Sequence, residues 1–432
     1  MKKQAVVLIH GIGEQRPMNN LRTFVDTVWT TDIDVQHRWS SKNGVLWSKP
    51  HLLSENYELR RLTTSKSASG KRTDFFEFYW AHLMQGNEFR HITAWAKVLL
   101  RRSPHTVPKP IRGLWFLAAV IAIIIPLGTL AGIIVSGVNA PAWATWTVGG
   151  AGALLWLLST KFFVDRAGDA ARYLDPSPPN IEVRHAIRSA GIEMLEDLHR
   201  SGKYDRIVIV GHSLGTVIGY DILSHLWGKH RRTPDGPARE ALDALTEASR
   251  EAPGSDAFRA AQAAYRQELQ RQGVDWLVSD FVTLGSPLTY AAFLLASNRE
   301  DFEQRVTDRE LPTCPPIPDG DDITYQPWND APPTPHHAAV FGPTRWTNVY
   351  FRPRWTVYGD VISGPLAPVL GPGIRDVEVS TTRRGGFLTH TLYWSWRKSD
   401  AAGVEPHIAA LRSAINLLDE DEGADDVTTE AE

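Results

Sequence analysis

Ser213 stands between two glycines in Gly211-His212-Ser213-Leu214-Gly215, directly after the apolar run Ile207-Val208-Ile209-Val210. A serine hydroxyl is a weak nucleophile until a neighbouring base takes its proton, and it must be presented to its target. Four apolar residues without polar alternation read as a parallel strand buried on both faces. Residues 214–227 then read as a helix. Strand, sharp turn and helix together hold a serine in a strained conformation with its hydroxyl outward. Gly211 and Gly215 remove side chains that would collide with the neighbouring strand and helix. His212 fills the variable position of the turn and is read as a packing residue rather than a catalytic one.

These residues resemble the nucleophile elbow of lipase- and esterase-type α/β-hydrolases. A second match is Ala5-Val-Val-Leu-Ile-His-Gly-Ile-Gly13, a strand leading into a His-Gly loop. The resemblance implies that the backbone N–H groups of Ile12 and Leu214 form an oxyanion hole, with Gly11 and Gly13 in its loop. Taken alone, His10-Gly11 also fits an ordinary strand-end turn. Thr283-Leu-Gly-Ser-Pro287, after a strand over 280–284, resembles the turn that follows the elbow helix in these enzymes. The resemblance further implies an acid and then a base after the serine in chain order. Residues 346–351 read as a strand, and Asp360 lies in the loop beyond it. Residues 374–379 read as another strand, and His390 lies in the loop that follows. His390 is therefore expected as general base and Asp360 as its orienter. Asp376 is the alternative acid, but it sits inside a strand, where it would point into or away from the sheet.

The fold that could place these groups is an α/β-hydrolase fold, a mostly parallel doubly wound sheet carrying insertions. The hydrolase parts are expected over residues 1–85, 161–227 and 278–418. A basic, amphipathic connector spans 86–112, and Ala-, Glu- and Arg-rich surface helices span 228–277. Residues 288–345, with nine prolines between Pro312 and Pro343, read as a cap or lid.

Averages hide the remaining insertion. The chain has 432 residues, 43% hydrophobic and 22% charged, with a formal net charge of −3. That composition excludes collagen-like, disulfide-scaffold and globally disordered classes. Residues 419–432 nevertheless carry eight acids and no base, which leaves +5 on the rest; this tail is expected to be a solvated, disordered terminus. Residues 113–160 contain no Asp, Glu, Lys, Arg or His. As a helix, 114–138 would reach about 38 Å at ~1.5 Å per residue, against a hydrocarbon core of ~30 Å. Asn139, Ala140 and Pro141 break the run before 142–160. Two membrane spans joined by a tight turn fit this pattern; a pair of wholly buried core helices is the alternative. Lys97, Arg101, Arg102, Lys109 and Arg112 precede the hairpin and Lys161, Arg166 and Arg172 follow it, so both ends are expected in the cytoplasm.

Five apolar residues before His10 are too few for a signal peptide. Cys314 is the only cysteine, so no intrachain disulfide is available. His336, His337 and His407 lack ligand spacing, so no metal is expected; no cofactor, phosphate-binding glycine loop or nucleic-acid stripe is expected either. The resemblance implies a membrane-anchored serine hydrolase of lipid or other hydrophobic esters, with membrane lipids as partner. An acyltransferase with the same triad, or an idle hydrolase fold acting as a membrane scaffold, stay open. Deleting residues 113–160 should leave an esterase active on short esters but slow on bilayer substrates. Assays of both substrate types on the deletion variant check this, and equal handling would sink the tethering idea.

Overall fold

Strands buried on both faces need layers on either side of their sheet, and five almost wholly buried strands lie side by side here. The computed structural model describes residues 3–12, 16–32, 46–51, 58–65, 72–84, 103–113, 115–116, 173–174, 178–316, 323–326, 328–352, 359–380, 386–395 and 404–417. The strands are β1 (Lys3–Ile9), β2 (Leu46–Pro50), β3 (Arg60–Thr64), β4 (Arg72–Phe78), β5 (Arg206–His212), β6 (Val278–Leu284), β7 (Thr324–Tyr325), β8 (Thr334–Pro335), β9 (Arg345–Phe351) and β10 (Arg375–Val379). Eight form one sheet in the order β10-β9-β6-β5-β1-β4-β3-β2, while β7 and β8 pair with each other. From β10 to β4 all neighbours are parallel; β3 and β2 close the other edge antiparallel. The protein is thus an α/β fold with a mixed, mostly parallel sheet. β6 and β9 are buried along their whole length, as central parallel strands must be.

The helices are α1 (Asn19–Val25), α2 (Pro178–Arg200), α3 (Leu214–His230), α4 (Gly236–Glu251), α5 (Asp256–Arg271), α6 (Arg299–Thr307) and α7 (Pro406–Ile415), besides shorter helical turns. On one face of the sheet, Val6, Leu8, Val208, Val210, Val282 and Val349 share a core with Leu21 and Phe24 of α1 and Leu411 of α7. The alternate residues face α3, where Gly219 leaves room for Ile9 and Phe281. After β1 the chain lays β4 on one side of it and β5 on the other. The winding reverses at β1, and ligand sites in such sheets lie at the carboxyl ends of the strands flanking that reversal.

Sequence expectation and structure differ at β4. A strand over 75–80 was expected, whereas β4 ends at Phe78, because β1 ends at Ile9 and the ladder has no further partner. Trp80, left beyond it, donates its indole N–H to the His10 carbonyl at 3.0 Å. The expected helical insertion over 228–277 contains α4 and α5. Within 288–345, the Phe341 and Thr344 carbonyls accept from Gln262 of α5, and the His336 carbonyl accepts from Trp227 near the far end of α3.

By contact, the chain divides into Met1–Gly11, Gln15–Trp80 and Ala186–Glu432 as one unit, and Ile12–Glu14 with Ala81–His185 as a second. In the second, Arg112 donates to the Val107 carbonyl, and the Arg184 guanidinium lies over the Tyr173 ring. Among the described residues no helix is long and apolar enough to cross a membrane. The span 113–160, apart from Gly113, Trp115 and Phe116, lies outside the described residues, as do Gly13 and the acidic tail.

A buried polar network ties the amino ends of the strands, opposite the carboxyl edge. Asp280 pairs with Arg206 at 2.8 Å and with Arg345 at 2.9 Å. Arg206 also donates to the Asn416 carbonyl, and Gln4 to the Leu417 carbonyl, which satisfies the carboxyl end of α7. Burial pushes the Asp280 carboxyl up, but the two guanidiniums outweigh it and hold it well below the usual carboxylate range. Its contribution is therefore complete above the unfolded pKa of ~3.9 and is lost as the pH falls below it. Asp280→Asn should cost about 3–5 kcal/mol, because two buried guanidiniums lose their counter-charge. Urea denaturation at pH 7 measures this, and a loss below 1 kcal/mol would contradict it.

Candidate active site

The β5–α3 turn bends within a single residue. Ser213 adopts φ 53° and ψ −127°, between the end of β5 and the first residue of α3. Its N–H still donates to the Leu284 carbonyl of β6 at 3.0 Å, and its carbonyl accepts from Thr216 N at 3.0 Å and Thr216 Oγ1 at 2.7 Å. A positive φ at a residue with a side chain costs about 1–3 kcal/mol, so close packing must enforce it. A Cβ on Gly215 would lie 2.2 Å from the Ile9 carbonyl oxygen, and one on Gly211 would lie 2.8 Å from the Gly215 oxygen. Gly11 is required by the serine itself, because a Cβ there would sit 2.8 Å from the Ser213 Cβ. Thus β1, β5 and α3 meet at backbone distance around Ser213. As first residue of α3, Leu214 presents an N–H that no carbonyl of the helix can take.

The residues expected as base and acid come from the carboxyl-terminal third. His390 lies on the 3₁₀ turn Gly386–Thr391, and its Nδ1 donates to Asp360 Oδ2 at 2.8 Å. The same oxygen accepts from the Tyr393 hydroxyl at 2.8 Å, and Oδ1 accepts from the Ile362 N–H at 3.0 Å. Burial raises the Asp360 pKa, but His390 and the hydrogen bonds of His390, Ser363 and Tyr393 prevail and hold it at about 2. The carboxylate therefore stays ionised and keeps the proton of His390 on Nδ1. That leaves Nε2 as an acceptor, and it is buried without a hydrogen-bond partner among the described residues. The imidazole packs over Gly285, where a Cβ would lie 3.0 Å from its Cε1. Gly285 directly follows Leu284, the residue that takes the Ser213 N–H, so base and serine lie at the same carboxyl edge of β5 and β6. The hydrogen bond between His390 and Ser213 is not formed in this structure, a common state of such pairs before substrate arrives.

Asp376, the alternative acid, is committed elsewhere. It accepts from Asn348 Nδ2 at 2.7 Å and from the N–H groups of Leu366 and Ala367 at 2.9 and 2.8 Å. His10 stacks on Trp80 with ring centroids 4.9 Å apart, and its Nδ1 donates to the Gly11 carbonyl. That fixes the start of the loop after β1. Ile12 belongs to the second unit and Gly13 lies outside the described residues.

The Tyr393 contact with Asp360 and the hydrogen bond made by His212 are not given by the sequence reading. The spacing of three between His390 and Tyr393 is the sequence signal that both side chains can meet one neighbour. His212 packs as expected, with its ring 5.0 Å from that of His390 and 4.9 Å from that of Trp394. It also donates from Nε2 to the His390 carbonyl at 2.9 Å. Burial lowers its pKa to about 3, with His390 adding to the effect, so the ring is neutral at ordinary pH.

No protein-family model, curated protein or solved structure matches this chain.

Tyr393→Phe removes one donor from Asp360 and leaves the buried Phe351 N–H without its acceptor. It should cost about 1.5–3 kcal/mol, the range for hydrogen bonds to charged groups. Asp360 titrates at about 2 in the folded state against ~3.9 unfolded, so its stabilisation is full above pH 4 and fades as pH falls through 2. The variant should shift acid unfolding to higher pH. Denaturation curves between pH 2 and 7 check both effects.

Proposed function

We propose that this protein is a serine ester hydrolase of the α/β-hydrolase type, using Ser213 as nucleophile, His390 as general base and Asp360 as its orienter. The observation that carries this reading is a strained, glycine-walled Ser213 on the same sheet edge as His390, whose Nδ1 is held by the buried Asp360 carboxylate. The chain order serine, aspartate, histidine and the strand–turn–helix context agree with it.

In the reaction, Ser213 Oγ attacks the carbonyl carbon of an ester while its proton passes to His390 Nε2. The carbonyl electrons move onto oxygen, which the Leu214 N–H at the positive end of α3 stabilises. The intermediate collapses, and the leaving alkoxide takes the proton from His390. Water then repeats the sequence on the acyl-serine and restores the enzyme. Asp360 never changes protonation; it keeps Nδ1 protonated and balances the imidazolium while that exists. The uncharged span 113–160 supports a membrane tether beside hydrophobic ester substrates, with the catalytic part on the cytoplasmic side.

Treatment with a fluorophosphonate probe should label the wild type, while Ser213→Ala and His390→Ala should not react. Asp360→Asn should lower kcat by about 10⁴-fold, because the imidazole then loses its required tautomer. Labelling that persists in Ser213→Ala, or never occurs in the wild type, overturns the hydrolase reading.

A further inference from the structure

We propose that His212, beside the nucleophile, is a positioning residue that fixes the base through the hydrogen bond from its Nε2 to the His390 carbonyl; this rests on the hydrolase reading above. Residues 178 apart in sequence are joined by that one bond of 2.9 Å. His390 sits on a short 3₁₀ turn, and such turns have poorer hydrogen-bond geometry than an α-helix. Asp360 holds the ring at Nδ1 but fixes only its direction. The height of the ring above the end of β5 depends on its backbone, and His212 holds that backbone. His212 is well suited to be the fixed end. It is the last residue of β5, in register with Leu284 of β6, and it immediately precedes Ser213. Its ring is boxed by Tyr393 and Trp394 at 5.7 and 4.9 Å.

The chemistry of the bond is directional. A carbonyl can only accept, so the single proton of the neutral His212 ring lies on Nε2. Nδ1 is left as a lone pair beside Gly11, where a Cβ would lie 3.1 Å from it. A neutral ring at this place also matters when His390 becomes an imidazolium, because a second cation 5.0 Å away would oppose that charge. His212 thus sets the distance from His390 Nε2 to the serine without touching the substrate.

Three variants separate this role from packing. His212→Gln keeps a donor at the same reach, His212→Leu keeps apolar volume without a donor, and His212→Asn is polar but too short. Each is assayed in the full chain with a short-chain p-nitrophenyl ester and, independently of turnover, by the downfield proton resonance of His390 Nδ1 in ¹⁵N-histidine-labelled protein. Leu and Asn should lower kcat by about 10²-fold with KM unchanged, the effect of misplacing a reacting group by about 1 Å. They should broaden the resonance, and Gln should restore both. Equal losses in Gln, Leu and Asn, or a loss that falls on KM, would assign His212 to packing and overturn the proposal. Unchanged kcat and resonance in Leu and Asn would also overturn it. If Leu fails to fold, Asn against Gln decides the same question. A wild type that ignores the fluorophosphonate defeats the hydrolase reading alone, since the resonance still reports whether His212 holds His390.

Discussion

A residue with a side chain at φ 53° and ψ −127° is held against its own preference, and Ser213 is such a residue. What holds it is the approach of three backbones that tolerate no Cβ at positions 11, 211 and 215. The approach of α3 to β1 follows from the same constraint, since the Ile9 carbonyl occupies the space that any side chain at 215 would need. The shape of the site is thus a packing solution around one strained peptide, and the carboxyl ends of β1, β5 and β6 are where it has to be.

Strain at one end of the sheet is matched by dense satisfaction at the other. The Asp280 carboxylate, two guanidiniums, Gln4 and the last carbonyls of α7 form a closed polar network at the amino ends of the strands. Buried networks of this kind are costly only when a member lacks its partner. The sheet is therefore anchored where no chemistry is proposed, and the carboxyl edge can keep a serine and an imidazole nitrogen in readiness.

Local patterns made part of this legible in the sequence. β1 and β5 announce themselves as apolar runs, and the turn at Ser213 announces itself through its glycines, because backbone sterics act between near neighbours. The antiparallel strands β3 and β2, with β2 at the edge, are not foreseen from the sequence. Their Arg, Lys, Ser and Pro residues suit an edge that faces water, and such residues also suit a loop. The sequence prefers Asp360 to Asp376 only because Asp376 sits inside an expected strand, and it does not show what either carboxylate meets. What separates them is tertiary: Asp376 caps the turn at 366–367, and Asp360 meets His390. The bond from His212 to the His390 carbonyl leaves no local trace at all, because a carbonyl acceptor belongs to every residue type. Gly13 and the hairpin span lie outside the described residues.

The hydrogen bond from Gln4 to the Leu417 carbonyl joins residues 413 apart in the chain. During synthesis β1 emerges first, and its partner beneath the sheet arrives on the order of tens of seconds later at ordinary elongation rates. The serine leaves the ribosome at position 213, whereas the aspartate and histidine follow at 360 and 390. A nascent chain therefore carries Ser213 before Asp360 and His390 have been added. On the proposed hydrolase reading, the order of translation keeps the serine without its base until His390 has been added.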